Sequence, residues 1–195
     1  METKLIVGLG NPESIYGLTR HNIGYIIINT YDTCYGFTNS MSCGIDTKNK
    51  IIKDTRIILL KPQDCMNMSG VAVNKVAKRE GIDNKDILII HDDMDLDFGK
   101  IKISASGGSG GHKGIQSIIN NLGQDFNRYR VGISRPPKDR LAADYVLSNF
   151  TAHEINTFCS LTEMSREIID YFIETDVQKV MNKYNKKEPV SNEQQ

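Results

Sequence analysis

Short apolar runs alternate with longer stretches of mixed apolar and polar residues along this chain. The runs are four or five residues long and are bounded by turn-forming residues, which is typical of buried strands. The predicted strands cover residues 4–8, 50–53, 56–60, 86–90, 100–104 and 129–133. Asp54 and Thr55 separate the second strand from the third and predict a hairpin turn between them.

The stretches between the strands carry apolar residues at helical spacing. The predicted helices cover residues 20–35, 70–80, 113–122, 139–146 and 152–184, the last with a break. Thr19 is a candidate N-cap for the first helix, and Asn67 or Ser69 for the second. Gly81 is expected to end the second helix.

Strands interleaved with helices of this length predict an α/β fold. We expect a single-domain three-layer sandwich, in which helices flank a twisted, mixed, mostly parallel sheet. This catalytic-type domain would span residues 1–184, and the polar residues 185–195 would form a frayed tail. Ligands of such sheets bind beyond the carboxyl ends of the strands, so polar residues that follow a strand are candidates for a site.

Composition places the chain among ordinary soluble domains, because 39% of its 195 residues are hydrophobic and its formal net charge is zero. No apolar run reaches the roughly 18 residues that span a bilayer, and residues 1–8 lack the features of a signal peptide. We therefore expect a cytoplasmic protein. Its four cysteines form no C-x-x-C pair, which disfavours a zinc site and a disulfide framework.

Charge is distributed unevenly along the chain. Residues 100–140 contain eight Lys and Arg against two Asp, a net charge of +6, so the rest of the chain carries −6. A basic segment inside a neutral protein indicates a local anionic partner or a solvated charged face, and charge alone leaves both open.

Asn11 and His21, which both follow the first strand, are candidate functional residues. A dinucleotide-binding fingerprint fails there, because it requires glycine where Glu13 stands. Asn11 can donate its side-chain amide to a substrate carbonyl, or it can simply form a turn before Pro12. His21 follows the candidate cap Thr19, and a helix N-terminus favours a neutral imidazole that can act as a general base. A capping or packing role for this histidine stays open.

Acidic residues follow the strand predicted at residues 86–90. A calcium-binding loop that starts at Asp93 would need glycine where Phe98 stands and an acid where Ser104 stands, so that hypothesis fails. A carboxylate that orients a histidine fits the position of Asp92 better. Asn67 supplies another amide at a strand end, with helix capping as its alternative role.

A glycine-rich run occupies residues 106–111. It is no P-loop, but it matches G-x-S-x-G formally and makes Ser109 a nominal esterase nucleophile. The helix is predicted to begin three or four residues too late for the strained elbow which that nucleophile needs. A mobile loop over the site is the simpler interpretation, and the serine esterase remains an alternative.

Four segments together resemble the bacterial-type peptidyl-tRNA hydrolases. They are KLIVGLGNP with Tyr16 and TRHNIG, then KPQDCMNMSG, HDDMDLDFG and GGSGGHKGIQSI. They occur in the order of that family and extend over about two thirds of the chain. Four motifs in register are specific, whereas each one alone would be weak.

The resemblance implies a monomeric enzyme without metal or cofactor that hydrolyses the ester between a peptide and the 3′-terminal ribose of tRNA. By position, it implies His21 as the base that activates water, Asp92 as its orienting carboxylate, Asn11 and Asn67 as amides that hold the peptide and the oxyanion, and Tyr16, Met66 and His112 as residues that line the site. Relatives of this family can also bind RNA without catalysis. Loss of His21 or of an asparagine would indicate such a relative, and these residues are present here.

The same resemblance implies contact with the acceptor stem and the 3′ CCA end of tRNA. Arg130 and Lys102 would bind phosphate, in agreement with the basic segment. Two positions depart from the family pattern. Lys113 stands where the family commonly has asparagine, next to the terminal nucleotide, and Ser104 stands where many members have a base.

Overall fold

The computed structural model describes residues 1–186. The strands are β1 (Glu2–Gly8), β2 (Thr38–Ser42), β3 (Ile45–Ile52), β4 (Thr55–Leu60), β5 (Ile87–Asp93), β6 (Ile101–Ser104) and β7 (Asn127–Gly132). The α-helices are α1 (Glu13–Tyr16), α2 (Ile23–Tyr35), α3 (Ser69–Glu80), α4 (Lys113–Leu122), α5 (Ala142–Val146), α6 (Ala152–Asn156), α7 (Phe158–Glu174) and α8 (Val177–Tyr184). Among these residues, no helix is both long and apolar enough to cross a membrane.

The strands of the described chain form one seven-stranded sheet in the order β2-β3-β4-β1-β5-β7-β6. The four strands β4, β1, β5 and β7 run parallel, whereas β2 pairs with β3, β3 with β4, and β6 with β7 in antiparallel fashion. Helices cover both faces, so the predicted α/β sandwich with a mixed sheet is confirmed. The parallel centre brings the carboxyl ends of β1, β4, β5 and β7 to one edge.

Two apolar layers pack on opposite faces of the sheet because side chains alternate along each strand. Ile6 and Ile90 face α2 and α7, whereas Leu5, Val7 and Ile89 face α3 and α4. Burial of each such side chain stabilises the fold by about 1.5–3 kcal/mol. Strands covered on both faces account for the uninterrupted apolar runs in the sequence.

The edge of the sheet beyond β4 differs from the prediction. Strand β2 was not predicted, since its residues are polar and four of its five are exposed. The turn between β3 and β4 lies at Lys53 and Asp54, which both have positive φ, and not at Asp54 and Thr55. Thr55 instead pairs with Ile52 as the first residue of β4.

Neither predicted N-cap forms. Thr19 precedes a 3-10 turn, and its hydroxyl donates to the Tyr16 carbonyl, so α2 begins only at Ile23. Ser69 donates to the Met66 carbonyl, and the side chain of Asn67 makes no capping bond. Gly81 ends α3 in the left-handed conformation, as predicted.

Other boundaries also move. Strand β5 continues through Asp93, three residues past the predicted end, because it pairs with β7 there. Residues 152–184 form three helices rather than one with a single break, and α5 begins at Ala142 rather than at residue 139. Asn185, predicted to start the frayed tail, is anchored by two hydrogen bonds between its side chain and the backbone of Ile103, at 2.8 and 2.9 Å. Residues 187–195 of that tail lie outside the described part.

Candidate active site

The carboxyl ends of the central strands open into a cleft of about 880 Å³. Its walls include nine of the predicted site residues: Asn11, Tyr16, His21, Met66, Asn67, Asp92, His112, Lys113 and Arg130. Lys102 lies outside these walls. A smaller cavity of about 380 Å³ between α2 and the strands β2 to β4 contains none of the predicted site residues.

Asp92 lies between two histidines. Its Oδ1 is 2.8 Å from Nδ1 of His21 and 3.0 Å from Nε2 of His112. Burial by itself raises the pKa of the Asp92 carboxyl, but the two adjacent imidazoles and their hydrogen bonds outweigh it and hold that pKa well below its usual value. Asp92 is therefore ionised, and Nδ1 of His21 donates to it. Nε2 of His21 has no hydrogen-bond partner in residues 1–186 and keeps a lone pair that can accept a proton.

His112 is the N-cap of α4. Its Nδ1 accepts the backbone N–H groups of Gly114 and Ile115, at 3.1 and 3.2 Å. Two donors at Nδ1 require that the ring proton sits on Nε2, which then donates to Asp92. Gly114 permits this close packing, since a Cβ there would lie 2.5 Å from Sδ of Met66.

These tautomers bear on metal binding. The facing ligand atoms of His21, Asp92 and His112 lie within 4.8 Å of one another, a spacing that suits a metal ion. Both facing imidazole nitrogens, however, carry protons that they donate to Asp92, and an ion would have to displace both. The arrangement favours a hydrogen-bonded acid–base cluster over a metal centre.

His91 is a third histidine of the cleft, which sequence reasoning did not single out. Its Nδ1 lies 2.7 Å from the carbonyl oxygen of Asp92, and its ring meets His112 edge to face at 5.0 Å. The pKa of His91 is lowered to about 3, mainly by burial and secondly by the neighbouring His112. Its place between the strand predicted at residues 86–90 and Asp92 was the available signal.

Asn11 is held by Asn22, another residue that the sequence analysis missed. The buried side chain of Asn22 accepts from the backbone N–H of Asn11 at 2.8 Å and donates to its carbonyl at 2.9 Å. The backbone N–H of Met66 donates to Oδ1 of Asn11 at 3.3 Å. The Asn11 oxygen is thus occupied, whereas its NH₂ group makes no hydrogen bond to the described residues and is available to a ligand. Asn22 lies in the TRHNIG segment, so its motif was the signal.

The segment after β4 forms a 3-10 turn, Met66–Met68. Met66 is buried in the cleft wall, whereas Asn67 is exposed. The Asn67 side chain makes no hydrogen bond within residues 1–186, so its amide is free for a ligand. Tyr16, at the end of α1, is partly exposed on the same cleft.

Basic residues meet at the β6–β7 end of the cleft. Lys102 pairs with Arg130 and Ser104 with Arg128 across the two strands, so all four side chains share one face of the sheet. Nε of Arg130 donates to Asp93 at 2.6 Å, and its Nη groups have no partner in the described chain. Lys113 is exposed at the first position of α4.

Arg128 was not predicted as a site residue, yet it lines the cleft. It is 2% exposed, stacks over the Phe126 ring at 4.2 Å and donates to the Gly107 carbonyl. Burial lowers the pKa of its guanidinium. Arg128 therefore anchors the glycine-rich loop to β7.

Ser109 lies in this loop on the cleft wall. A serine nucleophile needs a base within hydrogen-bond reach, but the Ser109 hydroxyl has no hydrogen-bond partner among residues 1–186. Helix α4 begins four residues later, at Lys113, so no nucleophile elbow forms. Both observations disfavour the serine esterase.

Comparison with known proteins agrees with this geometry. The family model for peptidyl-tRNA hydrolase matches residues 5–192. The peptidyl-tRNA hydrolase of Fervidobacterium nodosum is 40% identical over 93% of this chain and 95% of its own length, and that of Rickettsia felis is 38% identical over 92% and 98%. The crystal structure of peptidyl-tRNA hydrolase from Acinetobacter baumannii, 31% identical, superimposes with a TM-score of 0.88 over 96% of this chain and 97% of that one. The resemblance drawn from four sequence segments is thereby confirmed, and the chain belongs to the peptidyl-tRNA hydrolase family.

Proposed function

We propose that this chain hydrolyses the ester bond between the C-terminus of a peptide and the 3′-terminal ribose of tRNA, with a water molecule activated by His21. The single observation that carries the proposal is the His21–Asp92 pair, at 2.8 Å, in a cleft that also contains free amide groups. The peptidyl-tRNA hydrolases among its relatives support the substrate class.

The reaction follows from the free lone pair of His21. Nε2 takes a proton from water as the water oxygen attacks the ester carbonyl carbon, and ionised Asp92 stabilises the resulting imidazolium. The bond from that carbon to the ribose oxygen then breaks, and the imidazolium returns the proton to the oxygen. The products are a peptide carboxylic acid, which ionises, and tRNA with a free hydroxyl. A positioned base of this kind contributes about 10²- to 10⁴-fold.

Amide donors stabilise the charge that develops on the carbonyl oxygen. The NH₂ groups of Asn11 and Asn67 hold the peptide and the oxyanion, and one such donor contributes about 10²- to 10³-fold. Tyr16 and Met66 line the peptide-binding part of the cleft. His112 keeps Asp92 in place.

The tRNA end of the substrate lies at the basic part of the cleft. Arg130, through its free Nη groups, and Lys102 beside it bind phosphate of the acceptor stem. Lys113 meets the terminal nucleotide of the 3′ CCA end. We further infer that the enzyme works as a monomer in the cytoplasm and without a metal. The last of these is supported by the two histidine nitrogens that donate to Asp92.

Three substrates test the function: N-acetylaminoacyl-tRNA, free aminoacyl-tRNA and a nitrophenyl ester. Hydrolysis of the first alone, unchanged in Ser109→Ala and in EDTA, supports the proposal. Loss of activity in Ser109→Ala, together with labelling by a serine-directed phosphonate, would establish the esterase instead. Binding of tRNA without hydrolysis would identify a non-catalytic RNA-binding relative. Inactivation by EDTA that a divalent ion reverses would refute metal independence.

A further inference from the structure

Arg20, the residue before His21, joins the 3-10 turn Arg20–Asn22 to the segment that follows α5. Its Nη1 donates to the Ser148 hydroxyl at 2.9 Å and to the Asn149 carbonyl, and its Nη2 donates to both carboxylate oxygens of Glu154, at 2.8 and 2.7 Å. A planar guanidinium bound at both ends fixes two chain segments relative to each other.

Aromatic rings and the backbone complete this junction. Arg20 is 5% exposed, and its guanidinium lies 4.6 Å from the Tyr145 ring centre and 5.4 Å from that of Phe150. The backbone N–H of Arg20 donates to the Ser148 carbonyl at 3.0 Å, and that of Phe150 donates to the Leu18 carbonyl at 3.1 Å. Helix α5 has only five residues, and a helix so short depends on such contacts for its position.

Helix α5 forms an apolar wall of the cleft. The wall consists of Ala142, Ala143 and Val146 together with Leu147, which directly follows the helix, and Ile15 of α1 lines the same cleft. Leu147 is 41% exposed and Ile15 74%, so these apolar side chains face solvent when the cleft is empty. Such a surface suits an apolar side chain of the substrate better than phosphate, which the basic residues of β7 suit.

We propose that Arg20 is a positioning residue that sets the distance between the α5 wall and His21, and so places an apolar side chain of the peptide residue whose ester is cleaved. This inference rests on the proposed function. Arg20 acts through α5 and not on the reacting atoms, so its removal should weaken binding of an apolar substrate more than it slows the chemical step.

The test compares KM and kcat of Arg20→Lys for N-acetylleucyl-tRNA and N-acetylglycyl-tRNA. We expect KM for the leucyl substrate to rise about tenfold, the effect of one lost methylene contact, with a smaller change for the glycyl substrate. The control is Arg56→Lys, which weakens the partly buried ion pair with Glu80, at 2.7 Å, outside the cleft. This control should leave both KM values unchanged.

A double-mutant cycle with Val146→Ala tests whether Arg20 acts through the wall. If it does, the two substitutions are non-additive in their effects on KM. After Val146→Ala the wall makes fewer contacts with the substrate, so Arg20→Lys can remove fewer of them. Additive effects, or an equal fall in kcat for both substrates at constant KM, would overturn the inference. If Arg20→Lys does not fold, Glu154→Gln removes the same ion pair and is subject to the same comparison. A wild-type chain that cleaves neither substrate would refute the proposed function itself.

Discussion

His112 donates from Nε2 to Oδ1 of Asp92 across 3.0 Å, while the other nitrogen of its ring accepts two backbone N–H groups at the start of α4. One side chain thus satisfies donors of the helix N-terminus and the carboxylate that pairs with His21. The position of Asp92 is thereby coupled to the end of the glycine-rich loop.

Substitution of His112 should separate these two roles. His112→Ala loses the cap, so its free energy of unfolding should fall by about 0.5–2 kcal/mol, whereas His112→Asn keeps a capping oxygen and should lose less. Both variants lose the bond to Asp92 and should lose activity to a similar extent. Urea unfolding and single-turnover hydrolysis measure the two effects. Equal stability of the two variants would contradict the capping role.

His21→Ala should abolish hydrolysis while tRNA binding survives, because the imidazole acts on water and not on phosphate. We expect the rate to fall by about 10²- to 10⁴-fold, the contribution of a general base. Direct titration of the variant with free tRNA measures binding independently of turnover. The control is His153→Ala, which removes an exposed histidine of α6 outside the cleft. Activity close to wild type in His21→Ala would place the base elsewhere.

Asp92→Asn should lower kcat less than His21→Ala does. The base remains, but its orientation and the charge that stabilises the imidazolium are lost. We expect a loss on the order of tenfold to a hundredfold in kcat, as is typical when a side chain that orients a functional histidine is changed. A loss as large as that of His21→Ala would show that Asp92 does more than orient the base.

Arg130→Ala should weaken tRNA binding through the loss of one phosphate contact. The slope of log affinity against log salt should fall by about one unit, and KM should rise while kcat changes little, since a remote phosphate is bound equally in ground and transition states. Arg79→Ala is the matched control, because it removes an exposed arginine of α3 that lies outside the cleft walls and outside the basic segment. An unchanged slope in Arg130→Ala would make the basic segment a solvated face.

His91 should make stability depend on pH. Its pKa is about 3 in the folded protein against an ordinary 6.5, so the unfolded chain binds its proton first as pH falls. The stabilisation is complete above pH 6.5 and is lost between pH 6.5 and 3, by at most about 1.4 kcal/mol per pH unit. His91→Gln should show a weaker pH dependence in urea unfolding at pH 7 and pH 5. The same dependence as wild type would refute the assignment.

Local sequence was enough to predict the buried strands and the position of the site. The apolar runs of β1 and β5 predict strands that are covered on both faces. Gly81 predicts the end of α3, because glycine readily adopts the left-handed conformation found there. The site residues follow strand ends directly in the sequence, so the topology of a parallel sheet brings them to one edge.

Contacts between distant segments decided the rest. Strand β2 exists because its backbone pairs with β3, which no feature of its own polar side chains indicates. Strand β5 extends to Asp93 because β7 lies beside it, and Asn22 lies against Asn11 only once α2 packs on β1. The tautomer of His21 likewise follows from a partner 71 residues away along the chain. Periodicity and propensity act over a few residues, whereas hydrogen bonds across the fold depend on where the packed sheet puts each strand end.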